Sequence, residues 1–480
     1  MNPARAFQAT ASERPEAVAL RADGTAWRYG DLAARAMRLA SALHSAGIGR
    51  GDLVLSRFAT PLSDLVAFFA LMHVGAVHCS IAHLGGAEIE VAPVAILGDA
   101  ETLPALRDAL PDSRAIDIDA LPPTGHGAPE FADVAPGAVS QLILTSGTTG
   151  RAKMVQLTYA AIEARTAIRS AYFPTSGGVL LLMGPMTAGG CQTVLSTLLA
   201  GHVLDLSRQP RGLAEAVASA DTDHVIASPV QLSGLLSRIG RTGVRAGGLR
   251  GVLLMGGAAS AALLESAGAA FGCPITVMYG TSEVGACAAV TIDTPGSEGS
   301  PRLTPLPGVL IEVTDDAGNA LPAGSAGQIR IASPGIAAGY FGDAALTRAQ
   351  FRDGWFIPGD LGRLDGDGLI LSGRQDEVIN LGGVKLDPAE IDAMIEARRL
   401  AVEAAAFRFV DASGVERLVV ASVTDGPEQF ERLRLAVAEH VSGRVPTGHF
   451  RVERIPRNEM GKPLRQTLAA MLARRMAAQA

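Results

Sequence analysis

Residues Gln141–Val155 read Q-L-I-L-T-S-G-T-T-G-R-A-K-M-V, and the interpretation of the whole chain turns on them. Leu142, Ile143 and Leu144 form an apolar run of the length expected for a buried strand. The residues that follow, up to Lys153, are hydroxylated, glycine or basic, with Ala152 the one apolar exception. Gly147 and Gly150 let the backbone turn tightly and approach a guest closely. The hydroxyls of Thr145, Ser146, Thr148 and Thr149 and the ammonium of Lys153 add hydrogen-bond donors. Successive backbone N–H groups with hydroxyls beside them make a concavity suited to a polyphosphate. Taken alone, the stretch reads equally well as a Ser/Thr/Gly surface turn. It is not a Walker A loop, which needs Gly and Lys adjacent and then Ser or Thr, because Arg151 and Ala152 separate Gly150 from Lys153.

The bulk properties frame this stretch. A chain of 480 residues exceeds one ordinary core, so two or three domains are expected. With 48% hydrophobic and 19% charged residues, it reads as globular rather than disordered. The net charge of −7 is spread without a basic face, which argues against nucleic acid as the main partner. The longest apolar run, Leu65–Val77, is too short to span a bilayer and is broken by His73. Near the N-terminus, Glu13 and Glu16 and the lack of a continuous apolar core give no secretory signal. Cys79, Cys191, Cys273 and Cys287 form no C-x-x-C pair, so buried free thiols in a reducing cytoplasm are expected.

Along the chain, an irregular lead-in is followed by helical spacing over Tyr29–Ala46 and Leu62–Val77. After the polar stretch, the apolar strands Val179–Met183, Val225–Ala227, Val252–Met255 and Ile275–Met278 alternate with the helices Gly190–Ala200, Pro229–Ile239 and Ala261–Ala270. Such alternation predicts an α/β fold, a mainly parallel sheet with helices on both faces. From about residue 305 to 373 the texture becomes β-rich, with Gly, Asp and Pro turns. Beyond a boundary near 374–377, residues 378–480 read as a small α+β unit ending in a closing loop. The expected division is thus 1–373, a short hinge at 374–377, and 378–480.

Several motifs sit where this alternation places strand ends. Tyr279-Gly280-Thr281-Ser282-Glu283 follows Ile275–Met278, at the carboxyl edge where open α/β sheets bind ligands. Tyr279 offers a flat face to a purine, Thr281 a donor to a phosphate oxygen, and Glu283 an oxygen ligand for Mg²⁺. Gly256-Gly257-Ala258, closing Val252–Met255, would admit an adenine edge. Gly354-Trp355-Phe356-Ile357-Pro358-Gly359-Asp360 ends in a carboxylate able to accept both hydroxyls of a ribose. Each fragment also has a bland reading as a turn, and a single lysine such as Lys462 in P-R-N-E-M-G-K is ordinarily solvated.

In this order, T-S-G-T-T-G-x-x-K, Y-G-T-S-E, G-W-F-I-P-G-D, G-R-Q-D-E and the Lys462 segment resemble the adenylate-forming superfamily of acyl-CoA synthetases, peptide-synthetase adenylation domains and luciferases. The resemblance covers nearly the whole chain. It implies a large N-terminal nucleotide-binding domain and a small mobile C-terminal lid. It implies ATP and Mg²⁺ as cofactors, with Thr148 and Glu283 at the metal. It implies Arg374 at the ribose or phosphate, Asp376 as hinge, Gly382 and Gly383 on the thiol channel, and Lys462 at the reacting carboxylate and α-phosphate. The acid pocket would be lined by Met186, Thr187, Ala188, Gly189, Val230, Gly285 and Ala286, none of them charged. An unpaired buried charge is costly, so an acid without a second charged group is expected. The chain lacks the Asp that amino-acid-activating relatives place near Thr187 and the His that many acyl- and aryl-CoA ligases place near Ala188. The implied reaction joins an acid to CoA through an acyl-adenylate, with loading of a carrier-protein phosphopantetheine as the alternative, and a catalytically silent nucleotide-binding relative as a third.

Overall fold

The structure is a computed structural model. It describes all residues except 1, 82–90, 122–128, 147–151, 174–175, 247, 294–301, 376–378, 382–383, 411–415, 442–446, 459–460 and 478–480, and it does not describe the side chains of 146, 152, 210, 380, 381, 384 and 385.

Two large sheets enclose a layer of helices. Among the described residues, the nine-stranded sheet has Gly178–Leu181, Thr222–Ala227, Gly251–Met255 and Ile275–Thr281 side by side and parallel. These strands are largely apolar, as strands covered on both faces are expected to be; Gly251–Met255 is buried at every position. A six-stranded sheet carries Leu53–Arg57 and Val77–Ser80 in parallel and ends in the hairpin Val139–Ser146/Ala152–Thr158. Helices Tyr159–Tyr172 and Ala188–Leu199 belong to the same apolar core as both sheets, through Ile162, Cys191, Val194, Ile143 and Ile226.

Local chemistry explains where elements start and stop. Helix Pro61–Val74 has Thr60 accepting from the Ser63 amide, and Pro61 in its first turn. It ends at Gly75, whose φ of +76° is the left-handed cap glycine favours. Val77 therefore does not prolong that helix, as the apolar run suggests, but opens strand Val77–Ser80. The lead-in is likewise ordered, as helix Pro3–Glu13 capped by Asn2 and the hairpin Val18–Ala22/Thr25–Arg28. Strand Ile275–Thr281 runs through the tyrosine and threonine of the Y-G-T-S-E motif instead of ending before them. It turns back directly into antiparallel Gly285–Ile292, so Gly285 and Ala286 lie on a strand.

The β-rich region is a third sheet. Ala326–Ala332 pairs with Leu310–Thr314, Trp355–Phe356 and Asp360–Asp365, and the last of these pairs with Gly368–Arg374. Downstream, Glu403–Val410, Glu416–Val423 and Thr447–Arg451 form a separate sheet, packed with helices Pro388–Ala397 and Pro427–His440. The chain closes with helix Arg465–Ala477, which buries Leu468 against Phe407 and Phe450, rather than with a loop. Among the described residues, no helix is long and apolar enough to cross a membrane.

Candidate active site

The carboxyl edge of the nine-stranded sheet faces the end of the β-rich sheet, and there the predicted residues converge. Tyr279 donates its hydroxyl proton to Asp360 over 2.5 Å. Arg374 reaches the other oxygen of Asp360 at 3.4 Å and the carbonyl of Pro358 at 3.4 Å. Strand pairing fixes this trio, because Asp360 is directly opposite Arg374 in the ladder. Burial and the Asp360 carboxylate push the Tyr279 phenol well above its ordinary range, so it stays protonated and remains a donor. The two glycines that follow the neighbouring strand lie on the same edge. Gly256 takes a φ of +85°, and a Cβ on Gly257 would only touch the Pro229 ring at 3.6 Å. Ala258 is exposed beside them.

Glu283 lies one turn further on and is held from two sides. Its carboxylate accepts from Tyr340 at 2.8 Å. Its carbonyl accepts from the Ala337 amide at 2.7 Å and from Arg165 at 2.7 Å. Arg165 is 2% exposed, and its other donors take the carbonyls of Ser282 (3.0 Å) and Gly335 (2.6 Å). Burial drives its pKa down to about 10, opposed by Cys287 and Glu283, so it keeps its charge at neutral pH. The arginine stem needs glycine on both sides. A Cβ at Gly335 would meet its Cγ at 2.7 Å, and one at Gly285 at 3.1 Å. Thr281 accepts from the Val284 amide at 3.2 Å, which leaves its own proton to donate.

Lys153 puts its ammonium 5.5 Å from the centre of the Tyr340 ring, within cation–π reach. Thr145 is paired with Lys153 across the Val139–Ser146/Ala152–Thr158 hairpin. Gly147, Thr148, Thr149 and Gly150 lie outside the described residues, as do Asp376, Gly382 and Gly383; Ser146 is described only as the last residue of its strand. Arg165 and Tyr340 were not singled out by the motifs. Arg165 sits in E-A-R-T-A-I-R, which reads as the solvated face of a helix.

Of the residues expected to line the acid pocket, Gly189 packs against Met255 on this edge, and Gly285 and Ala286 lie on the strand paired with Ile275–Thr281. Thr187 caps helix Ala188–Leu199 by accepting from the Gly190 amide. Gly189 faces two thioethers: a Cβ there would meet Met255 Sδ at 2.5 Å and Met183 Cε at 3.1 Å. Met186, Ala286, Cys191 and Cys287 are buried; burial lifts both thiols to about 12, Cys191 also accepting a hydrogen bond from Gln141. Across the site, Gly461 of the C-terminal unit presses on Val230, and a Cβ on it would lie 2.4 Å from the valine Cβ. Gly461 adopts a φ of +75°, a backbone that side-chain-bearing residues rarely take. Lys462 follows it, with its amide bonded to Asn458 Oδ1 at 2.9 Å and its side chain exposed.

The sequence profile of the AMP-binding enzymes matches residues 7–341, more than two thirds of the chain. The chain belongs to the AMP-binding enzyme family. Among the relatives of this AMP-binding enzyme is MmaC, a fatty acid–[acyl-carrier-protein] ligase of Mycobacterium marinum, 30% identical over 96% of both chains. CymA of Salinispora arenicola, described as a probable nonribosomal peptide synthetase, is 30% identical over 96% of this chain, which spans only 6% of that protein. The o-succinylbenzoate CoA synthetase of Bacillus subtilis has the same fold, with a TM-score of 0.83 and 21% identity, over 96% of this chain and 97% of that one.

Among the described residues, no three acidic, His or Cys side chains gather into a metal cage. Glu283 therefore fits a hard cation shared with substrate phosphates, the manner in which Mg²⁺ is commonly held.

Proposed function

We propose that this AMP-binding enzyme joins a carboxylic acid to a thiol in two steps, with Tyr279, Asp360, Arg374, Glu283, Lys153 and Lys462 as its working groups. In the first step the acid attacks the α-phosphorus of ATP, giving an acyl-adenylate and pyrophosphate. A carboxylate is already ionised near neutral pH, so no general base is required. The chain's contribution is placement and charge. Asp360 accepts the ribose hydroxyls while Tyr279 and Arg374 hold it still. Thr281 donates to a phosphate oxygen, and Lys153 meets the phosphate tail. Mg²⁺, when bound with ATP at Glu283 and Thr148, neutralises the charge that develops on the phosphates. Lys462 brings a cation to the attacking carboxylate.

The observation that supports this reading is the seating of Gly461 on Val230, which sets the Lys462 segment against helix Pro229–Thr242 beside a residue proposed for the pocket. In the second step the 378–480 unit turns about Asp376, Lys462 withdraws, and Gly382 and Gly383 border the path of a thiol. The thiol attacks the mixed anhydride and expels AMP. Domain turns of this kind commonly gate turnover.

CoA is the leading acceptor. A carrier-protein phosphopantetheine is the second reading, favoured by the match to MmaC over nearly all of both chains. The acid carries no second charged group. The described pocket residues are uncharged, and Arg165 commits three of its five N–H donors to backbone carbonyls. The four buried free thiols suit a reducing compartment, and the cytoplasm is the proposed location.

The test is pyrophosphate–ATP exchange over a panel of acids, then thioester formation with CoA and with carrier proteins. Exchange with monoacids, and none with diacids of equal length, is expected. No exchange with any acid overturns the reading.

A further inference from the structure

Tyr340 lies outside every motif that pointed to the site, yet it touches both halves of the phosphate end. It is 3% exposed. It follows strand Ala326–Ala332 in a segment pinned to the phosphate-loop hairpin: Gln156 donates to the Gly339 carbonyl at 2.9 Å, and Phe341 donates to the Met154 carbonyl at 2.8 Å. The Tyr340 amide is tied to Thr347 Oγ1 at 2.9 Å, and its ring packs edge-on against Phe351 at 5.5 Å. Position and tilt are thus set independently of any ligand. The face of the ring carries the Lys153 ammonium, and the hydroxyl lies 2.8 Å from Glu283 Oε1 and 2.5 Å from Gln350 Oε1. Both partners are acceptors and the hydroxyl has one proton, for which the charged Glu283 carboxylate is the stronger acceptor and the Gln350 amide oxygen its competitor.

We infer that Tyr340 is a positioning residue with two separable tasks: its hydroxyl aims the Glu283 carboxylate at the metal, and its ring aims Lys153 at the phosphate tail. The inference rests on the proposed use of Mg·ATP. The hydroxyl binds one carboxylate oxygen and leaves the other to the cation. The ring would otherwise leave the lysine stem to wander, since a lysine keeps much rotamer freedom when nothing holds it.

Separability makes this testable by ligand binding without turnover. The readout is the rise in Tm of the full chain caused by ATP, titrated with Mg²⁺. Tyr340→Phe removes the hydroxyl and keeps the ring. It is expected to raise the Mg²⁺ concentration at half effect about fivefold while leaving the ATP concentration at half effect, at saturating Mg²⁺, within twofold of wild type. Tyr340→Leu removes both and is expected to shift the two together. Tyr340→Phe in a Glu283→Gln background should add nothing to the Mg²⁺ shift, because its acceptor is already neutral. Superimposable Mg²⁺ curves for wild type and Tyr340→Phe overturn the inference, as do identical profiles for Phe and Leu. If the Tyr340 variants fail to fold, Gln350→Met, which removes the competing acceptor of the hydroxyl proton, must shift the Mg²⁺ curve to lower concentration; an unchanged curve overturns the inference too. Wild-type protein that shows Mg²⁺-dependent ATP binding but no exchange with any acid sinks the proposed reaction and leaves this inference standing.

Discussion

The two ends of the site hold their carboxylates in different ways. At the end proposed for adenosine, Asp360 is gripped by Tyr279 and Arg374, and all three stand on paired strands of two sheets. At the end proposed for the phosphates, Glu283 sits in a two-stranded turn, and its supports come from a helix (Arg165) and from the one loop after strand Ala326–Ala332 (Ala337 and Tyr340). The adenosine end is rigid because ladders make it so. The phosphate end is rigid because side chains from distant segments have been drawn onto one short turn. Sites built on strands and helices hold their geometry more closely than sites built on loops, so the phosphate end depends on its supports, and the adenosine end depends on its own residues.

The largest test of that contrast is Lys462→Ala, which removes a cation delivered from outside both ends. Adenylate formation should fall about 10²–10³-fold, the cost typical of deleting one stabilising donor of developing charge. Thioester formation from preformed adenylate should persist. Equal loss in both half-reactions would show that the lysine serves the fold of the C-terminal unit instead. Arg165→Met comes next. Each buried carbonyl left without a donor costs about 1–3 kcal/mol; the Glu283 carbonyl keeps the Ala337 amide, so the loss at Ser282 and Gly335 should lower unfolding stability by at least about 2 kcal/mol in denaturant titrations. An unchanged midpoint would mean that the Glu283 turn supports itself, and the contrast between the ends would disappear.

Asp376→Pro is expected to spare pyrophosphate exchange and slow the thiol step by at least about tenfold, as restricted hinges do; unaltered thioester turnover counts against a hinge there. Asp360→Asn should raise the KM for ATP about tenfold, or about 1.4 kcal/mol, because an amide cannot accept from both ribose hydroxyls and Arg374. Tyr279→Phe should be the mildest. One net hydrogen bond is worth about 0.5–1.5 kcal/mol, and ATP can replace the missing donor with a ribose hydroxyl, so KM should move about threefold or less. A tenfold change would make the tyrosine hydroxyl an equal partner of the aspartate.

The same contrast separates what the sequence discloses from what it conceals. Asp360, Tyr279 and Glu283 are legible because a strand end followed by glycine and an acid leaves a recognisable local pattern. Arg165 is not. The two arginines of E-A-R-T-A-I-R stand four apart and look like one wet helix face, yet both Arg165 and Arg169 are buried. The carbonyls that make burial of Arg165 tolerable belong to residues 282, 283 and 335, far along the chain. Tyr340 is hidden for the same reason, since only folding brings it to Glu283 and Lys153. Element ends were misjudged where one apolar run spans two elements. Leu65–Val77 holds both the end of a helix and the start of a strand, and Gly75 is the stop between them. The closing helix Arg465–Ala477 escaped because only Leu468 of its face is fully buried, which leaves little periodic signal.

The bare α-carbon of Gly189 has one more consequence. With no side chain there, the Met255 thioether closes over the start of helix Ala188–Leu199. An unbranched thioether yields to pressure where an aromatic wall would not. Were this the back wall of the proposed acid pocket, the enzyme would grade acids by length rather than refuse them, each extra methylene trading its own burial against the work of pushing sulfur aside. Discrimination between neighbours in a homologous series should then be shallow, and Gly189→Ala should shorten the scale by lodging a methyl group where the sulfur now rests.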